Sequence, residues 1–155
     1  MRRPQPAPLN PQPLTVGSLA SDFTLSDYNG RVYRLSDYRG KKVVVNFFCG
    51  CGLCRVMARE WGKQFADLSS IQLLAVANFS PATAVEFRNA TGIKFPLLLD
   101  PFGKVAQRYQ STVCPRCWMV DEEGKVTYVS RPRAMPQHTV EELTKVFHLS
   151  HGGRK

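Results

Sequence analysis

The sequence contains no apolar run approaching the roughly 20 residues that a membrane-spanning helix requires. Its two early arginines, Arg2 and Arg3, are not followed by the apolar stretch of a secretory leader. Together these absences set the expectation of a cytoplasmic protein with no membrane partner. Histidine is scarce: His138, His148 and His151 all lie near the C-terminus, far along the chain from the thiols, and read as surface residues rather than catalytic ones. Residues 55–113 contain no cysteine, which argues against a scaffold of disulfides distributed along the chain. There is no internal repeat, and no nucleic-acid reader motif accompanies the formal charge of +9. That charge is spread over small clusters, so it favours acidic partners or serves solubility, and nucleic acid is not the expected partner on this pattern.

What is present fits one domain with a substantial core: 155 residues, 43% hydrophobic and 10% aromatic. Prolines 4, 6, 8, 11 and 13 mark residues 1–14 as a flexible tail. Gly152 and Gly153 place a second tail at residues 150–155, leaving a folded domain at 15–149. Within it, DFTLSDYNGRVYRLSDYRGK carries two alternating segments around Asn29-Gly30, a hairpin signal. KKVVVNFF then reads as a buried central strand. The next stretch spaces Val56, Trp61, Phe65 and Leu68 for an amphipathic helix, with Trp61 and Phe65 as packing residues.

A strand at 71–77 follows, then a helix at 81–91 with Ser80 as its cap and Pro81 in its first turn. A short apolar segment at 95–99 precedes a helix at 103–109. Strands at 118–120 and 126–129 flank the turn DEEGK, and Val140, Leu143, Val146 and Phe147 predict a last helix at 139–147. The order is a βαβ pattern and an α/β fold.

Five cysteines occupy two clusters: Cys49, Cys51 and Cys54 in FFCGCGLC, and Cys114 and Cys117 in CPRC. Close pairs of this kind mean metal binding or transient redox chemistry more often than structural cross-links in a reducing compartment. A helix opening directly after a strand exposes free backbone N–H groups, whose field favours a thiolate. The two-residue separator between Cys51 and Cys54 lets a disulfide close locally, and Cys51, the outer thiol, is the better nucleophile. Cys49 serves either the chemistry or a tight turn with Gly50. Cys114 and Cys117 divide between the same site, metal ligation and core packing, and alternation turns Cys117 away from Arg116. Soft sulfur in such numbers would also suit zinc or an iron–sulfur cluster, with Cys49, Cys51, Cys54, Cys114 and Cys117 as candidate ligands. Arg55 either supports a thiolate or sits in a salt bridge.

KKVVVNFF, the CxxC opening a helix, FPLLLDPFGKVAQRY and CPRCWMVDEEGKV together resemble the thioredoxin-like redoxin superfamily. The resemblance covers most of residues 16–147 and is strongest to TlpA- and ResA-type thiol-disulfide oxidoreductases and to alkyl-hydroperoxide-reductase-type peroxiredoxins. It implies a thioredoxin-like α/β fold, with a central mixed sheet flanked by helices and an N-terminal β-hairpin. It further implies an enzyme, a thiol-disulfide oxidoreductase in which Cys51 attacks and Cys54 resolves. Cys49, Cys114 and Cys117 become possible relay thiols. Pro115 matches the family's cis-proline, facing CGLC across a substrate groove that Arg116 and Arg55 would also line.

The implied partners are a disulfide-containing protein or small thiol/disulfide, and a reductant; no cofactor is required. Two departures stand out: Cys49-Gly50 replaces the common small-residue and tryptophan arrangement, and a cysteine precedes the cis-proline. Peroxiredoxins place a threonine three positions before the reactive cysteine. Phe48 stands there relative to Cys51, and Cys51 relative to Cys54. The family's arginine aligns with Pro115, with Arg116 out of register. Thiol-dependent peroxidase activity is therefore the second reading, and a zinc- or iron–sulfur-binding protein the third.

Overall fold

A computed structural model describes residues 14–65, 70–131, 142 and 145. The expected tails, apart from Leu14, lie outside the described residues, as do most of the predicted helix at 139–147, the three histidines, Leu68 and the side chain of Phe65. The described elements are β1 (Thr24–Ser26), β2 (Val32–Arg34), a 3-10 turn (Leu35–Tyr38), β3 (Lys42–Phe48), α1 (Gly52–Phe65) and β4 (Ile71–Ala77). They continue with α2 (Pro81–Thr91), β5 (Leu97–Leu99), α3 (Lys104–Arg108), β6 (Arg116–Val120) and β7 (Val126–Val129).

The seven strands form one mixed sheet in the order β2-β1-β5-β4-β3-β6-β7. β3 runs parallel to β4 and β4 to β5, each joined by a helical crossover, whereas β6 lies antiparallel to β3. β1 and β2 form the expected hairpin, with Ser26 opposite Val32 and Gly30 at φ 83° in the connecting turn, a conformation glycine adopts without steric cost.

β3 is buried along its whole length, as a central strand covered on both faces must be. Its alternation divides the core: Val43, Val45 and Phe47 join Tyr109 and Trp118 on one face, while Val44 and Phe48 join Met57, Trp61 and Phe87 on the other. Burying side chains of this size contributes about 1.5–3 kcal/mol each. Trp61 and Trp118 also satisfy their indole N–H groups, donating to Met57 Sδ and Ser111 Oγ, each at 2.8 Å.

α1 departs from the sequence expectation in one respect. Val56 is exposed, and the buried stripe runs through Cys54, Met57, Ala58 and Trp61. That i, i+3, i+4, i+7 pattern carries Cys54 into the core as a small apolar residue. α2 starts as expected, with Ser80 Oγ accepting the Thr83 N–H at 3.2 Å. It ends at Gly92, whose left-handed φ of 70° lets its N–H reach the Arg88 carbonyl at 2.8 Å. α3 is fixed by Asp100, whose buried carboxylate accepts the Val105 and Ala106 N–H groups.

Candidate redox site

The site is built where β3 hands the chain to α1. Cys51 directly precedes the helix, and its carbonyl accepts the Arg55 N–H at 3.2 Å, the first intrahelical bond. Its Sγ accepts the Cys54 N–H at 3.4 Å, so the sulfur occupies the place a capping serine or aspartate oxygen usually holds. Partial burial opposes charge on this thiol. Hydrogen bonds from the Cys54 backbone and from the Cys54 and Cys49 side chains outweigh it, and the Cys51 pKa is lowered. Cys51 is half-buried, the reachable member of the pair.

Cys54 lies one turn inside and is fully buried. Its Sγ accepts the Cys49 N–H at 3.2 Å and stands 3.7 Å from Cys49 Sγ. The Cys114 thiol beside it, reinforced by burial, pushes its pKa far up. Burial and the same Cys114 thiol push Cys49 up to about 11. Two thiols that hold their protons thus surround one that gives its proton up readily.

Cys114 arrives from the far part of the chain. The Cys114–Pro115 peptide is cis, and β6 follows immediately, in register beside β3, with Arg116 opposite Phe47 and Cys117 opposite Asn46. The Sγ atoms of Cys49, Cys54 and Cys114 lie within 4.8 Å of one another. Cys117 is outside this group. It is wholly buried, its N–H donates to Ser130 Oγ at 2.9 Å, and burial pushes its thiol pKa well up.

Both arginines expected at the groove have intramolecular partners. Arg55 pairs with the exposed Glu86 at 3.6 Å, a contact of small energetic weight. Arg116 donates to the carbonyls of Gln110 and Ser130 and stacks over Trp118. A cavity of about 100 Å³ at the C-terminal ends of β3 and β4 is lined in part by Cys49, Cys114, Asn78, Asp100, Ser111 and Thr112. Sequence reasoning did not single out Asn78, Ser111 or Thr112, because only the tertiary fold brings them beside the sulfurs. It also missed the Cys49 backbone N–H as a partner of Cys54, a contact with no side-chain signature.

Comparisons with known proteins agree with this geometry. The thiol-disulfide oxidoreductase ResA of Geobacillus thermodenitrificans is 35% identical over 117 residues, which cover 73% of this chain and 67% of ResA. The chloroplastic peroxiredoxin Q of Oryza sativa subsp. japonica is 26% identical over 146 residues, covering 86% of this chain and 67% of that protein. The structure of Mycobacterium tuberculosis DsbF superposes with a TM-score of 0.71 at 25% identity, over 80% of this chain and 94% of DsbF. This is a thioredoxin-fold protein whose clustered cysteines fit thiol-disulfide redox chemistry, and its kinship supports a catalytic, redox-active role.

The cytoplasmic expectation is overturned by the same kinship, since the ResA- and Dsb-type relatives are extracytoplasmic thiol oxidoreductases. Its physical basis was weak, since it was read from the absence of a leader and of a membrane-length apolar run, and closely spaced thiols work in oxidising compartments as well as reducing ones. Among the described residues no helix is long and apolar enough to cross a membrane. With residues 16–129 matching it from the N-terminal hairpin to the last described strand, the chain belongs to the AhpC/TSA family.

Proposed function

We propose that the protein exchanges disulfides through Cys51 and Cys54. The observation that carries this reading is the Cys51 sulfur capping α1, with lowered pKa, above a buried and protonated Cys54. The Cys51 thiolate attacks one sulfur of a disulfide in a protein or small-molecule partner, forming a mixed disulfide and expelling the other sulfur as a thiolate. Cys54 then attacks Cys51 Sγ, and its proton passes to the second departing sulfur. Two electrons leave the dithiol, the partner disulfide becomes two thiols, and a separate reductant restores Cys51 and Cys54. Pro115, Arg116 and Arg55 are proposed to border the surface on which the partner lies, and Cys49 and Cys114 to act as auxiliary thiols.

The pH profile of alkylation tests the assignment of the nucleophile. A lowered pKa means that the Cys51 thiolate persists above that pKa and is lost only as pH falls through it. Iodoacetamide should therefore modify Cys51 first, with a midpoint lower than that of an unperturbed cysteine thiol. Label entering Cys49 before Cys51 would refute the assignment.

Peroxide reduction remains the second reading, favoured by the family match. Two features count against it. Phe48, three positions before Cys51, is buried and has no hydroxyl, and the Arg116 guanidinium is held by two carbonyls.

A further inference from the structure

We infer that Cys49, Cys54 and Cys114 form a binding site for a thiophilic divalent cation of the zinc class, and that its occupation excludes disulfide exchange. The three sulfurs come from a turn, a helix and the segment before β6, yet all lie within 4.8 Å of one another. Bonds of about 2.3 Å to a tetrahedral zinc hold their sulfurs about 3.8 Å apart. Cys49 Sγ and Cys54 Sγ already stand at 3.7 Å. Little rearrangement is needed for this pair to share an ion.

Cys51 is not part of the set, so the fourth position is left for water or an external thiol, as in zinc sites with three protein ligands. The cavity of about 100 Å³ borders both Cys49 and Cys114 and supplies a route for the ion. Sulfur donors alone select soft or borderline cations over magnesium or calcium.

Binding moves no electrons. The cation replaces three S–H protons, which leave to solvent, and three metal–sulfur bonds form. Cys54 Sγ cannot hold the metal while bonded to Cys51. Metal-loaded protein therefore cannot complete exchange, and oxidised protein cannot load metal. This coupling rests on the proposed roles of Cys51 and Cys54, whereas the site itself does not.

The test is anaerobic titration of fully reduced wild-type, Cys51→Ser, Cys49→Ser and Cys114→Ser proteins with Co2+, followed by Zn2+ displacement, with folding checked by circular dichroism. Wild-type and Cys51→Ser should bind one ion per chain with intense thiolate-to-cobalt charge-transfer absorption. Cys49→Ser and Cys114→Ser should each weaken binding more than about a hundredfold, beyond the 10- to 100-fold usual for loss of an outer-shell contact. Zinc-edge X-ray absorption of the wild-type protein, which needs no substitution, should count three sulfurs. Absence of stoichiometric binding would overturn the site, as would its loss in Cys51→Ser. Because Cys51→Ser cannot perform the proposed exchange, metal binding by this variant is independent of whether the exchange reading holds. The coupling is read separately: one equivalent of Zn2+ should block oxidation of the wild-type dithiol by glutathione disulfide, and unchanged oxidation would refute it.

Discussion

Replacing Cys51 with serine is expected to lower the rate of disulfide reduction at least about a thousandfold, the scale of losing a covalent nucleophile. A serine hydroxyl can still accept the Cys54 N–H and cap α1, so the fold should persist while the attacking atom is lost. No other described cysteine is placed to substitute. Cys49 is pushed up to about 11, Cys54 is fully buried, Cys117 is sealed in the core, and Cys114 is buried beside the cis peptide. The measurement is steady-state reduction of a disulfide substrate by wild-type and variant proteins under the same external reductant. Retention of more than about a tenth of the wild-type rate would show that the attack occurs elsewhere.

Replacing Cys54 with serine is expected to have the second largest effect and a different signature. The first step, attack by Cys51, remains available, but resolution does not, so a covalent adduct between Cys51 and one half of the substrate should accumulate. Turnover should fall by about two or more orders of magnitude, while a single equivalent of the other substrate thiol is still released in a burst. Intact-mass measurement after mixing with glutathione disulfide would show the adduct. Rapid release in the variant would point to Cys49 or Cys114 as an alternative resolving thiol, since both sulfurs lie within 4.8 Å of the Cys54 sulfur. Cys54 is also part of the buried stripe of α1, so the comparison requires the variant's unfolding transition to be measured.

Much of the scaffold was legible because local patterns and tertiary demands coincide. The continuous apolar run of β3, the Asn29-Gly30 hairpin and the Ser80 cap of α2 each specify the structure they adopt. The placement of Cys51 and Cys54 at a strand-to-helix junction was legible for the same reason. The orientation of α1 was less so. Val56 looks like a core residue by type, but helix phase is set by which stripe meets the sheet, and that stripe includes Cys54 and Ala58.

The grouping of Cys49, Cys54 and Cys114 was not readable from spacing. It depends on the turn after β3 folding Cys49 back over α1 and on the antiparallel register that brings β6 beside β3. Arg55 and Arg116 illustrate the same limit: Arg55 was read as thiolate support or a salt-bridge partner and Arg116 as a groove residue, and the partners they take, Glu86 and two carbonyls, are set by the tertiary fold. Compartment was the least legible property, because it was read from missing segments rather than from residues that are present.

The most direct measurement is peptide-resolved mass mapping of the disulfide that forms when anaerobically reduced, metal-free protein meets one equivalent of glutathione disulfide. A reversible Cys51–Cys54 linkage, with Cys49, Cys114 and Cys117 still reduced, is the predicted result. A linkage between Cys49 and Cys54, or between Cys49 and Cys114, with Cys51 left as a free thiol, would contradict it.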